Sequence, residues 1–448
     1  MRTLVRLLTL SALLGVAIVR PALAQSVLRD AETEALMHDA TIPLIRAAGL
    51  DEKNVQILVI NDPSINAFVA GGQIVWVHSG LIAASDNINQ VQGVVAHELG
   101  HIEGGHIIRS GEGMKEAMGI QLVTLLLGAA ALAAGGGEAG MGIMAAGQQA
   151  AMGKYLAFSR AQESSADAAG ARYLHTAGIT GKGSLEFFKK LQNMEFRLYI
   201  PQDQYGQTHP LSTDRISTLK AVYEKDAAWD KPIDANLEAR FERVKAKLVG
   251  FVSDPPRTLQ LYPVTDQSIP AHYARAYAYH KGAYPDQAIA EIDALLKSAP
   301  HDPYFLELKG QVLLESGRPK DAIPPLREAV AATGSQPLIS TLLGHALIAT
   351  DDPAHLDEAE QVLRAAVIRD TGNPFAWYVL GNVYARKGDT ARAALASAEQ
   401  YQMTGQNALA LRSAETALTG IKPGTSDYLR AQDIAMVSRA AMEKGKKR

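Results

Sequence analysis

The pentapeptide His-Glu-Leu-Gly-His, which begins at His97 and ends at His101, contains residue types that can bind and use a metal ion. Histidines four residues apart on a helix project from one face about a turn apart, so both imidazoles can bind one zinc ion. Glu98 lies beside them in sequence, where its carboxylate can reach a water molecule on the metal rather than the metal itself. Zinc lowers the pKa of such a water towards about 7, and Glu98 would take its proton. The pentapeptide therefore predicts a hydrolytic metal site, with His97 and His101 as ligands and Glu98 as the base.

A catalytic zinc site needs a third protein ligand, and the sequence offers a histidine and a carboxylate. His106 lies nine residues beyond His97, about 900° of rotation on a continuous helix, so we expect it to face away and to cap or end the helix. The chain has no cysteine, which leaves a carboxylate from a second helix. Glu163 and Asp167 lie four residues apart among small residues, and we expect Glu163 to bind zinc and Asp167 to accept the second N–H of a ligand imidazole. A solvated helix face is the alternative interpretation of this pair.

Helices and short strands are predicted around these residues. We expect Asp86 to cap a helix that carries the pentapeptide and ends at glycines 104 and 105. A second helix, from about 152 to 175, carries Glu163 and Asp167. The other elements predicted in this part of the chain are a helix over 31–50, strands over 55–60 and 74–78, a helix over 184–196, a polar loop over 201–214 and a helical segment that continues to about 250.

No charged residue occurs over residues 117–137 or 139–153. The first stretch is long enough to span a bilayer, but beyond Leu127 it is mostly alanine and glycine, so its insertion would be marginal. We expect a buried or interfacial helical hairpin, with a membrane span as the alternative. Peripheral membrane contact through residues 117–153 is therefore a hypothesis.

The C-terminal part of the chain is repetitive. A proline is followed seven residues later by a glycine three times, at Pro303 and Gly310, Pro337 and Gly344, and Pro374 and Gly381. The successive steps are 34 and 37 residues, and alanines at 288, 322, 359 and 393 repeat with steps of 34, 37 and 34 residues. We expect the three extra residues in the turn at 351–353. This pattern resembles tetratricopeptide repeats from about Pro270 onward.

The composition describes an exported globular protein. Arg2 and Arg6 precede an apolar run over 7–19, and Ala22-Leu23-Ala24 has the small-x-small pattern of a signal-peptidase site. We expect cleavage after Ala24 and a periplasmic location, with a retained membrane anchor as the alternative. The formal net charge is −3, which argues against nucleic-acid binding. The predicted domains are a signal peptide over 1–24, a metalloprotease domain over 25–252, a linker over 253–269 and a repeat domain over 270–448.

Three motifs together resemble a known family. They are the pentapeptide at 97–101, the Gln-Glu-x-x-Ala-Asp run over 162–167, and His209-Pro210 with Arg215 five residues on. They resemble the Ste24/HtpX-type gluzincin zinc peptidases, and the signal peptide and repeats narrow the resemblance to the periplasmic BepA-like (YfgC-like) branch. The resemblance implies a mainly α fold: an α+β gluzincin metalloprotease domain with a small sheet, followed by an all-α tetratricopeptide repeat solenoid. It also implies one Zn²⁺ per chain, with Glu163 as the third ligand. Asp167 would then contact a ligand side chain and not the metal itself.

His209 has two functional interpretations. The resemblance implies a fourth zinc ligand that can occupy the water position and hold the enzyme inactive. Alternatively, His209 donates a hydrogen bond to the oxyanion in the transition state, assisted by Arg215. A loop histidine without metal contact is the third interpretation. The run Asn66-Ala67-Phe68, followed by a strand over 74–78, resembles the family's substrate-aligning edge strand and makes these three residues candidates for substrate binding.

Three functions are consistent with the sequence. The first is a zinc-dependent endopeptidase that acts on outer-membrane protein precursors or on their assembly machinery, with the repeats supplying substrate choice. The second is a chaperone or adaptor that acts through the repeats, with proteolysis secondary. The third is an inactive enzyme, against which the intact pentapeptide and Glu163 argue.

Overall fold

The computed structural model describes residues 26–133, 137–198, 209 and 212–446. The predicted signal peptide at 1–24 and most of the predicted loop at 201–214 lie outside the described residues. The chain divides into two compact units, Met1–Leu28 with His38–Ile233 and Arg29–Met37 with Asp234–Arg448. The predicted domain boundaries at 252 and 269 stay predictions.

The first unit combines a small sheet with helices, as the sequence predicts. Its described elements are β1 (Val27–Leu28), the part of α1 (Ala31–Ala47) from His38 onward, β2 (Gln56–Ile60), β3 (Ala67–Val69), β4 (Ile74–His78), α2 (Ser79–Ala84), α3 (Ile88–Glu103), α4 (His106–Ala133), α5 (Gly137–Ala177), α6 (Lys182–Leu198) and α7 (Thr213–Tyr223). Both predicted strands are present, the first shorter by one residue.

The sheet has the strand order β1-β2-β4-β3. Strands β2 and β4 are parallel, and β3 pairs antiparallel with β4. A tight turn joins β3 to β4, and it contains Gly71 and Gly72 with φ angles of 72° and 102°, which glycine adopts without strain. Val75 and Val77 are fully buried on one face of β4, so the alternation in sequence matches the pleat. Strand β3 is an edge of this sheet.

Helix α3 carries the pentapeptide and is buried from Ile88 to His101. Its N-cap is Asn87, whose side chain accepts a hydrogen bond from the backbone N–H of Gln90, so the prediction of Asp86 as the cap was wrong by one residue. The helix ends at Gly104, as predicted. Gly105 then adopts a φ of 61°, which breaks the helical path before α4 begins.

Helices α4 and α5 form the predicted hairpin, but most of it is exposed rather than buried. Within it, glycines lie where the two helices touch: a Cβ at Gly128 or Gly140 would come within 2.9 Å of the other glycine's carbonyl oxygen. Large apolar side chains point outward and are more than half exposed, among them Leu122, Leu126 and Leu127. In the part of the chain that the structure describes, Met114–Ala133 is the one segment long and apolar enough to cross a membrane.

The second unit is a series of helix pairs. Its described helices from residue 234 onward are α8 (Ala235–Val252), α9 (Pro255–Leu261), α10 (Ile269–Lys281), α11 (Pro285–Ser298), α12 (Pro303–Glu315), α13 (Pro319–Ala332), α14 (Pro337–Ala349), α15 (Leu356–Arg369), α16 (Pro374–Arg386), α17 (Thr390–Met403), α18 (Asn407–Gly420) and α19 (Ser426–Lys446). Helix α9 lies inside the segment predicted as a linker, because two prolines can start a helix at its first turn.

The repeat pattern has a direct structural basis. The three repeated prolines are the first residues of α12, α14 and α16. A Cβ at Gly310 would lie 2.3 Å from Leu326, and one at Gly344 would lie 2.5 Å from Leu363, so each glycine lets paired helices approach. A short 3-10 turn, Pro353–His355, overlaps the position predicted for the three extra residues.

Candidate metal centre

Two glycines bring the helix of the pentapeptide close to the helix of the predicted third ligand. A Cβ at Gly100 on α3 would lie 2.7 Å from the carbonyl oxygen of Ala166 on α5. A Cβ at Gly170 on α5 would lie 3.1 Å from the backbone of Ala96. Because neither glycine has a side chain, the two backbones touch, and Glu163 reaches the face of α3 that carries the histidines. The glycine in the pentapeptide thus has a packing role.

Four side chains converge at this crossing. His97, His101, Glu163 and His209 each offer one ligand atom, and these atoms lie within 4.8 Å of one another. The Nε2 atoms of His97 and His101 are 3.1 Å apart, and they lie 3.3 and 3.4 Å from the carboxylate oxygens of Glu163. The Nδ1 of His209 lies 3.2 Å from both of those oxygens and 3.3 Å from His97 Nε2. The structure brings together all four residues that the sequence predicts as ligands.

The donor set fits a divalent metal ion. The Nδ1 of His97 lies 2.9 Å from Asp167 and the Nδ1 of His101 lies 2.9 Å from His106, so each ring can carry its proton on Nδ1. Their two Nε2 lone pairs then face each other and the Glu163 carboxylate. Lone pairs and a carboxylate at this separation repel unless a cation, either a metal ion or a proton, lies between them. Three imidazoles and one carboxylate, without cysteine, match the ligands of catalytic zinc sites.

Glu98 lies at the same site, outside the four donors. Both carboxylate oxygens are buried and have no hydrogen-bond partner among the described residues, although His209 Nε2 lies 3.5 Å from one of them. Burial raises the pKa of Glu98 above its usual value. A buried carboxylate without a hydrogen-bond donor destabilises the folded chain, so its presence indicates a functional role. Here the carboxylate can take a proton.

Arg215 and Asp167 contact the ligand side chains and help to hold them in position. Arg215 on α7 donates hydrogen bonds of 2.7 and 2.8 Å to Asp167, and its guanidinium lies 3.0 Å from Glu163. Burial alone would raise the pKa of Asp167, but hydrogen bonds with Arg215 and His97 lower it. Asp167 therefore stays ionised, and one of its oxygens lies 2.9 Å from the Nδ1 of His97. Its predicted role as acceptor of the second N–H of that imidazole stays a prediction. Arg215 is held by two carboxylates, and its predicted contact with a transition state stays a prediction.

The pKa values of the ligand histidines separate in the metal-free site. Burial lowers the pKa of His97, but hydrogen bonds with Asp167 and Glu163 outweigh it and raise the value to about 10. Burial and the neighbouring His97 lower the pKa of His101 to about 2. Burial would raise the pKa of Glu163, but hydrogen bonds with His209 and His97 hold it well below its usual value. In the metal-free site, His97 is thus protonated and its positive charge lies beside the ionised carboxylates of Glu163 and Asp167.

His106 lies beside the site, and the prediction that it faces away from the site was wrong. That prediction assumed one continuous helix, whereas the chain breaks at Gly104 and Gly105 and starts α4 at His106. The new direction turns the His106 ring onto His101, with ring centroids 4.9 Å apart. The two consecutive glycines were the sequence signal for such a break.

The predicted substrate residues lie on the edge of the sheet. Helix α3 packs against β3, the edge strand at Ala67–Val69. Asn66 and Ala67 are buried, and Phe68 is partly buried against Trp76. The side chains of Asn66 and Ala67 are therefore occupied by the core, which leaves the backbone of the strand for pairing with a peptide. A cavity of about 710 Å³ adjoins Glu163 and Arg215 on the α5–α7 side.

The chain is similar to known peptidases and to known repeat proteins. Residues 28–223 match the profile of Peptidase family M48, and residues 273–337 and 354–408 match a tetratricopeptide repeat profile. The chain is 24% identical to the Beta-barrel assembly-enhancing protease of Yersinia pestis over 383 residues, which is 83% of this chain and 76% of that protein. It is also 24% identical to the protein of the same name from Escherichia coli (strain K12) over 379 residues, with the same coverage of each.

Among solved structures, the chain is similar to the crystal structure of YrrB, described as a TPR protein with an unusual peptide-binding site. The identity is 22%, and the match covers 39% of this chain and 91% of that chain with a TM-score of 0.32. The predicted fold class, an α+β protease domain followed by helical repeats, is confirmed by the two profiles and the elements described above. The chain therefore contains a peptidase family M48 domain over residues 28–223 followed by tetratricopeptide repeats, and it is a metalloprotease.

Proposed function

We propose that this metalloprotease is a periplasmic zinc endopeptidase that acts on outer-membrane β-barrel proteins or on their assembly machinery. The observation that supports the chemistry best is the convergence of four ligand atoms within 4.8 Å beside the buried carboxylate of Glu98, which has no hydrogen-bond partner in the part of the chain that the structure describes. The biological setting is supported by two relatives whose names describe enhancement of β-barrel assembly. The predicted signal peptide supports the location.

We assign His97, His101 and Glu163 as the zinc ligands. Bound there, zinc would polarise the scissile carbonyl and acidify the attacking water. Asp167 fixes the tautomer of His97 through the 2.9 Å contact with its Nδ1, and Arg215 keeps Asp167 ionised. These contacts orient the ligands before a substrate binds.

Glu98 is the general base in this proposal. Its buried carboxylate has a raised pKa, so it accepts a proton from water more readily than an exposed glutamate does. It can then pass that proton to the nitrogen of the leaving amine. The peptide itself would pair with the backbone of edge strand β3, as one more antiparallel or parallel strand. Phe68 is the one predicted substrate residue on this strand with an exposed portion of side chain.

Replacing Glu98 by glutamine tests the catalytic assignment. Glutamine keeps the shape but cannot take the proton, so we expect cleavage of an unfolded β-barrel substrate to fall by about 10²–10⁴-fold. Zinc content should stay at the wild-type value, because Glu98 lies outside the donor set. Cleavage at the wild-type rate by a zinc-loaded Glu98→Gln protein would refute the assignment.

His209 has a geometry that favours the fourth-ligand role. Its Nδ1 lies within 3.3 Å of His97 Nε2 and of both Glu163 oxygens, which places it among the donors. A histidine there competes with water for the open position, so we propose that it holds the enzyme inactive until it moves away. His209→Ala should then raise the proteolytic rate at unchanged zinc content. If His209 stabilises the oxyanion instead, the same variant should be slower than wild type.

A chaperone or adaptor role through the repeats is the second candidate. It is favoured by aromatic side chains on the repeat helices: Phe375 and Tyr378 are 45% and 49% exposed and stack on each other, and His345 contacts Phe375 edge-on. Exposed aromatics of this kind bind apolar peptide segments. A chromosomal Glu98→Gln allele separates the two functions. Full restoration of outer-membrane β-barrel levels by that allele would assign the function to the repeats, and no restoration would assign it to proteolysis.

We also propose that the hairpin of α4 and α5 contacts a lipid bilayer. Its packing has small residues inside and large apolar residues outside, the arrangement that helices adopt in lipid. Flotation with phosphatidylethanolamine–phosphatidylglycerol vesicles tests this. A Leu122→Gln/Leu126→Gln protein should lose vesicle binding, whereas a Leu261→Gln/Leu429→Gln protein, changed at similarly exposed leucines of the second unit, should keep it. Equal binding by both would contradict the proposal.

A further inference from the structure

His106 is a buried histidine that neither the ligand set nor the proton transfer uses. Its side chain is 6% exposed, and it is not one of the four converging donors. Its Nδ1 lies 2.9 Å from the Nδ1 of His101. This contact is on the side of the His101 ring that faces away from Glu163, since the Nε2 of His101 faces Glu163.

The tautomers determine which ring donates. A ring nitrogen that binds a metal ion has no proton, so a neutral His101 that binds through Nε2 carries its proton on Nδ1. That N–H points at the Nδ1 of His106, which must then be the acceptor. The same logic applies to His97, whose Nδ1 lies 2.9 Å from an oxygen of Asp167. Each ligand histidine therefore has one acceptor behind it, a carboxylate for His97 and a neutral imidazole for His101.

The local backbone is arranged to make this contact. Gly105 has a φ of 61°, which turns the chain out of α3 so that His106 returns towards His101. A Cβ on Gly104 would lie 2.3 Å from the Nε2 of His106, so the ring occupies the space that any other residue at 104 would fill. The backbone of Gly104 itself is right-handed helical, with φ −68° and ψ −10°, which alanine adopts freely. The absence of a side chain at 104 thus makes room for the ring and is not needed by the backbone.

His106 also touches the helix that supplies the carboxylate ligand. The side-chain amide of Gln162 donates a hydrogen bond of 3.4 Å to the backbone carbonyl of His106. Gln162 is the neighbour of Glu163 in sequence. His106 therefore contacts both the ligand His101 and the helix that carries Glu163.

We propose that His106 is a positioning residue of the metal centre: its Nδ1 accepts the Nδ1–H of His101 and fixes the ring with Nε2 towards the metal. The inference rests on the proposed zinc site. Contacts of this kind change metal affinity by about 10–100-fold when they are removed. The break at Gly104 and Gly105 then has a purpose beyond ending a helix, because it delivers this acceptor.

Zinc affinity of the full chain, measured by competition with a chelator, tests the proposal at the level of single atoms. His106→Asn places an amide oxygen where Nδ1 was, so it should bind zinc within about threefold of wild type, whereas His106→Gln and His106→Leu should bind about 10–100-fold more weakly. The visible spectrum of the Co²⁺-loaded protein should shift in the Leu and Gln variants and not in the Asn variant. A merely structural role would not separate Asn from Gln.

Gly104→Ala provides an independent variant that leaves His106 in place. The new methyl group displaces the His106 ring, so zinc affinity should fall in the wild-type background and not in the His106→Asn background, where the shorter side chain leaves space. Gly119→Ala is the matched control, because a Cβ at Gly119 meets no atom within 4 Å. Wild-type affinity in His106→Leu, or equal affinities in the Asn and Gln variants, would overturn the proposal and leave the zinc site standing. A wild-type chain that binds no zinc would overturn both.

Discussion

Each compact unit contains a buried cluster of ionisable side chains, and the two clusters differ in how their charges are balanced. In the second unit, Asp30 and Glu32 meet Lys247 and Arg243, and the Tyr273 hydroxyl donates a hydrogen bond of 2.7 Å to Glu32. Arg243 also pairs with a third carboxylate, that of residue 302. Every acid in this cluster therefore has a cationic partner from the chain itself.

The cluster in the first unit is not balanced in that way. Glu98, Glu163 and Asp167 contribute three carboxylates, and Arg215 supplies the one permanent cation. With the imidazoles neutral, as metal binding requires, the group has a formal charge of −2, and Glu98 has no hydrogen-bond partner among the described residues. A divalent cation would make the group neutral. The comparison shows that burial, ionisation or a single unsatisfied acceptor does not identify a functional site, since Glu307 of the second unit also has a buried oxygen without a hydrogen-bond partner among the described residues. The first cluster differs because its uncompensated charge coincides with four converging ligand atoms.

Removing a cation from the cluster of the second unit should have the largest effect on the free energy of unfolding. Lys247→Met leaves Asp30 and Glu32 short of a cation in a buried environment, which costs about 3–5 kcal/mol of unfolding free energy. Denaturant titration of the full chain measures this, with the exposed Lys320→Met as the control. Zinc content should stay unchanged. Adding Asp30→Asn and Glu32→Gln to Lys247→Met should recover much of the loss, and no recovery would contradict the charge-balance account.

A Cβ at the crossing of α3 and α5 should push the two helices apart and so displace the ligands of the first cluster. Gly100→Ala places a methyl group 2.7 Å from the Ala166 carbonyl oxygen, and separating two packed helices costs about 1–3 kcal/mol. Because the same separation moves Glu163 away from the histidines, zinc affinity should fall together with stability. The exposed Gly119→Ala should change neither. Loss of stability with full zinc affinity would mean that the crossing does not set the ligand geometry.

Glu307 should make the second unit sensitive to pH. One of its carboxylate oxygens is buried without a hydrogen-bond partner among the described residues, and burial raises the pKa of Glu307 to about 8. The folded state therefore favours the protonated acid. This stabilisation is complete below the unfolded pKa near 4.5 and is lost as the pH rises through 8.

Replacing Glu307 by glutamine removes this dependence. Glu307→Gln should be more stable than wild type at pH 9 by on the order of 1 kcal/mol, and about equal at pH 4.5. Denaturation midpoints at several pH values measure the slope, with the exposed Glu443→Gln as the control. An unchanged slope between pH 5 and 8 would show that Glu307 ionises freely in the folded chain.

Much of the fold and of the site could be predicted from the sequence because both rest on short-range patterns. The spacing of His97 and His101 needs only the period of a helix, and the proline–glycine rhythm of the repeats needs only one period of 34 residues. The approach of Glu163 was inferred from the absence of cysteine and from its partner four residues on. The glycine at 100 had no assigned role, since a close crossing of two helices depends on which helices meet.

Two differences between the sequence predictions and the structure have different physical causes. His106 was placed on the wrong face because a rotation of 100° per residue holds only while the helix continues, and Gly105 with φ 61° ends it. The hairpin was expected to be buried as one possibility, because its composition is apolar. Composition does not say which side of a helix faces its partner, and the glycines at 128 and 140 place the small side inward and the leucines outward.

The central claim is that the unbalanced cluster holds one metal ion, with the Glu163 carboxylate as the ligand from the second helix. Zinc analysis of purified wild type beside Glu163→Ala tests it most directly, with Glu103→Ala as a control on an acid outside the donor set. We predict one zinc per chain in wild type and in the control, and little or none in Glu163→Ala at equal chain concentration. Full zinc occupancy in Glu163→Ala would contradict the claim and assign the third ligand to another residue.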